Sequence, residues 1–156
     1  MANEYKKTTN LPQTGFPMRA SLAQNEPKRL KEWYDNDVYA QLLKKNEGHD
    51  KFVLHDGPPY ANGPIHLGHA QNKISKDIIN RFWAMQGYQT PYVPGWDCHG
   101  QPIEHKVEQM LGTEKFNQLP TEKIRELCRK MAVEQVDTQR QGFKRLGVLA
   151  EWENPY

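Results

Sequence analysis

Cysteine is scarce: there are two in 156 residues, Cys98 and Cys128, and they form no C-x-x-C pair. A disulfide framework is thereby excluded, and free thiols in a reducing compartment are expected. No apolar run nears the ~20 residues of a membrane-crossing helix. The opening Met1-Ala2-Asn3-Glu4-Tyr5-Lys6 also lacks the apolar core of a signal peptide, so a cytoplasmic location is the default expectation. Charge of one sign is missing too. With 21 Lys and Arg against 19 Asp and Glu, the net charge of +2 is too small to argue for nucleic acid through bulk electrostatics. There is no G-x-G-x-x-G, which sets a dinucleotide oxidoreductase aside, and no internal repeat or low-complexity tract. What remains is an ordinary globular composition, 37% hydrophobic and 26% charged, in a chain about one domain long.

Glycine and proline are plentiful, and where they fall organises the chain. Phe52-Val53-Leu54 reads as a buried parallel strand. It breaks into His55-Asp56-Gly57-Pro58-Pro59, which forbids helix and strand alike, and Asn62-Gly63-Pro64 adds a second turn. Leu67, Ala70, Ile74, Ile78, Phe82 and Met85 then recur every three or four residues, predicting a helix over 66–86 with that stripe buried and Gly87 ending it. The first turn of such a helix offers unpaired N–H groups and a partial positive charge, an anion site. His66 and His69 lie three apart on one face of that turn, and Gly68 between them admits a flat ligand close to the backbone.

Pro59-Tyr60-Ala61-Asn62-Gly63-Pro64-Ile65-His66-Leu67-Gly68-His69 resembles the HIGH region of the class I aminoacyl-tRNA synthetases. His55-Asp56-Gly57-Pro58-Pro59 and Gly95-Trp96-Asp97-Cys98-His99-Gly100 narrow the resemblance to the isoleucyl-tRNA synthetase family. It extends from Asn10-Leu11-Pro12 through Phe16-Pro17-Met18-Arg19 to Trp152-Glu153-Asn154-Pro155-Tyr156. The resemblance implies an α/β fold, the first half of a Rossmann-like nucleotide domain with parallel strands, helices and an incomplete sheet. It implies ATP-dependent activation of isoleucine and its transfer to tRNA-Ile, with Mg2+ accompanying ATP and no zinc in this portion. His66 and His69 would stabilise the ATP phosphates, Asn62, Gly63 and Gly68 would shape the nucleotide site, and Gly57, Pro58 and Asp97 would hold the amino acid. Two residues depart from the family pattern: Gly15 replaces a usual Asp, and Gln101 a usual Leu. The resemblance also implies an N-terminal portion of a monomeric enzyme, without the KMSKS loop and inactive alone. The alternative is a non-catalytic truncated or split-gene product that binds ATP or tRNA, or pairs with a complementary C-terminal chain.

Around this centre, residues 1–50 are expected to form an N-terminal arm and helix packing on a catalytic half-domain of residues 51–156. Asn25-Glu26-Pro27 reads as a helix start, with Leu30, Trp33, Tyr34, Val38 and Leu42 as its buried stripe as far as Lys45. Thr90-Pro91-Tyr92-Val93-Pro94 reads as a second strand feeding the 95–100 loop, which places both signature loops at one sheet edge. A short helix through Ile103, Val107, Met110 and Leu111 is stopped by Gly112. A longer one begins near Thr121, turning Ile124, Cys128, Met131, Ala132, Val136 and Phe143 inward.

Three local patterns have blander explanations. Leu11-Pro12-Gln13-Thr14-Gly15 spells a sortase motif, but no apolar anchor follows it. Lys73-Ile74-Ser75-Lys76 superficially matches KMSKS yet sits inside a predicted helix. His66, His69, Cys98 and His99 are zinc-ligand types at no zinc-finger spacing.

Overall fold

The computed structural model describes residues 8–10 and 14–156; the Leu11-Pro12-Gln13 part of the sortase-like pattern lies outside them. Among the described residues the helices are α1 (Leu22–Asp35), α2 (Val38–Lys45), α3 (Leu67–Met85), α4 (Gln101–Leu111), α5 (Thr113–Asn117) and α6 (Thr121–Arg145). Ile103 and Val107 of α4 pack with Met131, Ala132 and Phe143 of α6, and Tyr92, Trp96, Val148 and Trp152 complete the core. Gly87 and Gly112 end α3 and α4 with φ of 93° and 84°, the left-handed conformation expected there.

Among the described residues the expected parallel sheet is not formed. Three extended segments, residues 51–61, 89–97 and 148–156, run side by side without a continuous ladder. Two isolated parallel bridges join the first pair, Lys51 to Gln89 and Tyr60 to Asp97. Pro58, Pro59, Pro91 and Pro94 have no N–H to donate, so main-chain pairing fails between the bridges. Side chains fill the gap. Asp56 accepts from the Gly95 N–H at 3.2 Å, and the Tyr156 hydroxyl donates to the Asp56 carbonyl. The third segment docks through Glu151 N to Tyr92 O (2.9 Å), Tyr156 N to Pro94 O (3.0 Å) and Trp96 N to Tyr156 O (3.0 Å). Segment 89–97 therefore lies between the other two. Val53, expected inside a sheet, is 66% exposed.

Two helices differ from their sequence reading. The predicted helix from residue 25 to 45 is two. α1 starts at Leu22, with Pro27 inside it and Asn25 donating to Ala20 O rather than capping. Asp37, at φ 46°, breaks the run and caps α2 by accepting from Ala40 N. The larger difference is in α3. Its buried residues are Lys73, Asp77, Asn80 and Ala84. The apolar stripe points to solvent: Leu67 is 85% exposed, Ile78 60%, Phe82 51% and Met85 77%.

Candidate active site

The inner face of α3 is polar because it meets a buried carboxylate. Asp56 takes an ion pair from Lys73, a second from Lys76 at 2.7 Å, and a hydrogen bond from the Tyr92 hydroxyl at 2.8 Å. Together with Gly95 N–H, four donors converge on one carboxylate whose side chain is fully buried. Burial pushes the Asp56 carboxyl up, but the hydrogen bonds and charges of the lysines and Tyr92 outweigh it and leave it below the ordinary Asp value. Burial pushes Lys73 down, and Asp56 only partly opposes this. The cluster ties α3 to the loop before the signature and to the segment behind it.

At the N-terminus of α3, His66 is the N-cap residue, with extended backbone. Its Nδ1 accepts the Gly68 N–H at 3.1 Å, while Nδ1 of His69 accepts the His66 N–H at 3.3 Å. These bonds satisfy two donors at the helix entrance, a reciprocal cap built from imidazoles. They also fix the tautomers: each neutral ring keeps its proton on Nε2 as a free donor. The rings stack at 3.9 Å between centroids, and Phe143 meets His69 edge-on. Burial, then the neighbouring His66 and Lys73, hold His69 below the ordinary His pKa, which favours the neutral form. A Cβ at Gly68 would stand 3.0 Å from Cε1 of His66, a tight contact with an exposed ring. The room beside Gly68 is occupied by the His66 ring.

The two signature loops are joined. Asp97 N donates to Pro59 O (2.9 Å) and Ala61 N to Asp97 O (3.0 Å). Gln139 of α6, fully buried, completes the joint: its amide donates to Tyr60 O (3.0 Å) and Gly63 O (2.7 Å), and its oxygen accepts Trp96 Nε1 at 2.9 Å. Sequence reading missed Gln139; its signal was a polar residue in register with Ala132, Val136 and Phe143 on the inward stripe. α6 also closes on Ile65, since a Cβ on Gly142 would lie 2.7 Å from Ile65 Cδ1.

Within the signature, Ala61 is buried, Asn62, Gly63, Ile65 and His69 are half-buried, and Tyr60, Pro64, His66, Leu67 and Gly68 face solvent, as do Gly57 and Pro58. The Asp97 carboxylate accepts the His99 N–H at 3.4 Å, and α4 is capped by Gly100, so Asp97 does not cap that helix. Burial and Asp97 push the Cys98 thiol above its ordinary pKa, away from a nucleophilic thiolate. Among the described residues no group of three His, Cys, Asp or Glu could hold a metal ion.

A family model described as tRNA synthetases class I (I, L, M and V) matches residues 28–156. The chain belongs to the class I tRNA synthetases. It is 56% identical to the isoleucine–tRNA ligase of Caldicellulosiruptor saccharolyticus over 153 residues, which are 98% of this chain and 16% of that one. The corresponding ligase of Nitratiruptor sp. is 58% identical over 153 residues, 98% of this chain and 17% of that protein. This synthetase chain thus spans about a sixth of the length of the curated relatives it matches. Its fold matches that of the agnB2 LeuRS of Agrobacterium radiobacter K84, solved in ternary complex with tRNA and LeuAMS. The TM-score is 0.67 at 18% identity, covering 88% of this chain and 16% of that one. No helix among the described residues is long and apolar enough to cross a membrane.

Proposed function

We propose that this chain is the HIGH-bearing part of an isoleucine–tRNA ligase and binds ATP at the start of α3. The observation that carries the reading is the tautomer assignment: both imidazoles accept backbone N–H groups through Nδ1 and offer Nε2–H to an anion. Donors of that kind stabilise charge developing on phosphate oxygens without themselves having to ionise. Asn62 and Gly63 shape the nucleotide loop, and Gly57, Pro58 and Asp97 line the amino-acid side. For a nucleotide base to lie over Gly68, the His66 ring must swing off that position. Mg2+ enters with ATP as part of the substrate. The setting is cytoplasmic.

Activation of isoleucine and its transfer to tRNA-Ile belong to the assembled enzyme; this chain supplies one side of the phosphate site. A second reading, in which it pairs with a complementary chain, is favoured by the solvent-facing apolar stripe of α3. Calorimetric titration with Mg·ATP tests the site. Binding weakened by His66→Ala and by His69→Ala supports it, while equal binding by all three proteins refutes it. Isoleucine-dependent ATP–pyrophosphate exchange, absent with the chain alone, tests the partition of activity.

A further inference from the structure

Tyr156 touches both signature loops at once. Its hydroxyl donates to the Asp56 carbonyl, and its ring stacks on that of His55 with centroids 5.7 Å apart and planes 17° apart. On the other side its N–H donates to Pro94 O and its carbonyl accepts the Trp96 N–H, both at 3.0 Å. The ring also fills the space a side chain at residue 95 would need. A Cβ on Gly95 would stand 2.5 Å from Tyr156 Cζ and 2.7 Å from Cε1. Glycine is required at 95 by room rather than by backbone conformation, since its φ is not positive. Tyr156 is 51% exposed, so these contacts serve the two loops more than the core.

Asp56 O and Gly57 N belong to one planar peptide unit, so the hydroxyl that holds the carbonyl also fixes the direction of the Gly57 N–H. Pro58 follows Gly57, and Asp97 follows Trp96. Each residue assigned to the amino-acid side thus lies within two positions of a Tyr156 contact. The phosphate end is held differently, by the reciprocal cap of His66 and His69 and by Phe143 against His69.

We infer that Tyr156 is a positioning residue for isoleucine. Acting through the Asp56–Gly57 peptide and the Trp96–Asp97 segment, it sets the gap between the floor at Gly57 and Pro58 and the Asp97 carboxylate. This role presupposes the ligase reading above and deepens its amino-acid half. The width of the gap matters because the substrate ammonium must meet Asp97 while the rest of the amino acid lies along the floor. Hydrogen bonds weaken steeply when that geometry slips.

Two substitutions reach the same contact from opposite sides. Tyr156→Phe keeps the ring and removes only the hydroxyl, whereas Gly95→Ala keeps the hydroxyl and evicts the ring. The chain is titrated with L-isoleucine, followed through its amide resonances by NMR, and separately with Mg·ATP by calorimetry. Tyr156→Phe should raise the isoleucine Kd roughly three- to tenfold, the worth of one hydrogen bond, and Gly95→Ala at least as much. The Mg·ATP Kd should stay within about twofold in both. Without ligand, the amide resonances of Gly57 and Asp97 should move while those of His66 and Gly68 stay. A residue with a structural role alone would weaken both ligands together or neither, and either pattern overturns the inference. A Phe variant that loses its native circular dichroism overturns it too, by making Tyr156 part of what holds the fold. An unmodified chain that binds Mg·ATP but not isoleucine refutes the positioning role and leaves the nucleotide site standing. One that binds neither refutes the ligase reading along with it.

Discussion

The Asp56 cluster permits the sharpest test of how α3 is held. Replacing Asp56 by Asn keeps the shape but leaves Lys73, whose side chain is 2% exposed, with its charge uncompensated. Removing one partner of a buried pair costs about 3–5 kcal/mol. At 2–4 °C per kcal/mol for a chain of this size, Tm should fall by about 6–20 °C. Lys73→Met is the informative contrast. Asp56 then keeps Lys76, the Tyr92 hydroxyl and the Gly95 N–H, and methionine fills the space of the lysine stem. Its cost should be about 2 kcal/mol or less. The pair Asp56→Asn, Lys73→Met should recover much of the loss caused by Asp56→Asn alone, because the stranded charge is gone. Urea unfolding followed by circular dichroism at neutral pH measures all three. The folded-state pKa of Asp56 lies below its unfolded value, so its stabilisation is complete above about pH 4 and is lost as pH falls through the folded value. Asp56→Asn should therefore flatten the acid limb of the stability curve. If Lys73→Met destabilises as much as Asp56→Asn, the carboxylate is not the hub and the reasoning fails.

Three further outcomes follow from the site. His69 has a folded pKa below the unfolded ~6.5, so the unfolded chain binds more protons between the two values. Stability should rise with pH through that window and level off above it, and His69→Asn should remove the slope in a pH series of urea melts. Gly68→Ala places a Cβ 3.0 Å from the His66 ring, an exposed group that can move. Thermal stability should hold or rise by about 0.5 kcal/mol, while ATP affinity falls roughly tenfold; unchanged affinity would show that the ring position is immaterial. Gln139→Leu strands Trp96 Nε1 and two loop carbonyls, costing about 2 kcal/mol in thermal unfolding, and a loss below ~0.5 kcal/mol would deny it the joining role.

Helix ends proved legible because they depend on single residues: Gly87 and Gly112 adopt the positive φ that only glycine takes freely. The Pro/Gly loops and the placement of His66 at the entrance of α3 were legible for the same reason. The strands were not. Phe52-Val53-Leu54 and Tyr92-Val93 have strand-like composition, but four prolines nearby remove the donors a ladder needs, and side chains of Asp56 and Tyr156 do the joining. The third extended segment escaped notice because Trp152–Tyr156 carries no alternation; it is held by three main-chain bonds to residues 92–96. Asp37 broke a periodic run that looked continuous, since a left-handed residue leaves the apolar spacing almost undisturbed.

Periodicity reports that a helix has two faces, not which of them points inward. For α3 the choice was made by one carboxylate. Asp56, fixed in the loop before the signature, draws Lys73 and Lys76 toward it, and the helix rotates its polar side to the interior. Lys73-Ile74-Ser75-Lys76, dismissed as a chance likeness to a phosphate loop, thereby contains the two cations that orient the helix. The same rotation places Nε2–H of both imidazoles at the helix entrance and leaves Ile78 and Phe82 uncovered. Four donors on one buried carboxylate decide which face of α3 the interior takes, and the apolar side chains are left on the other face.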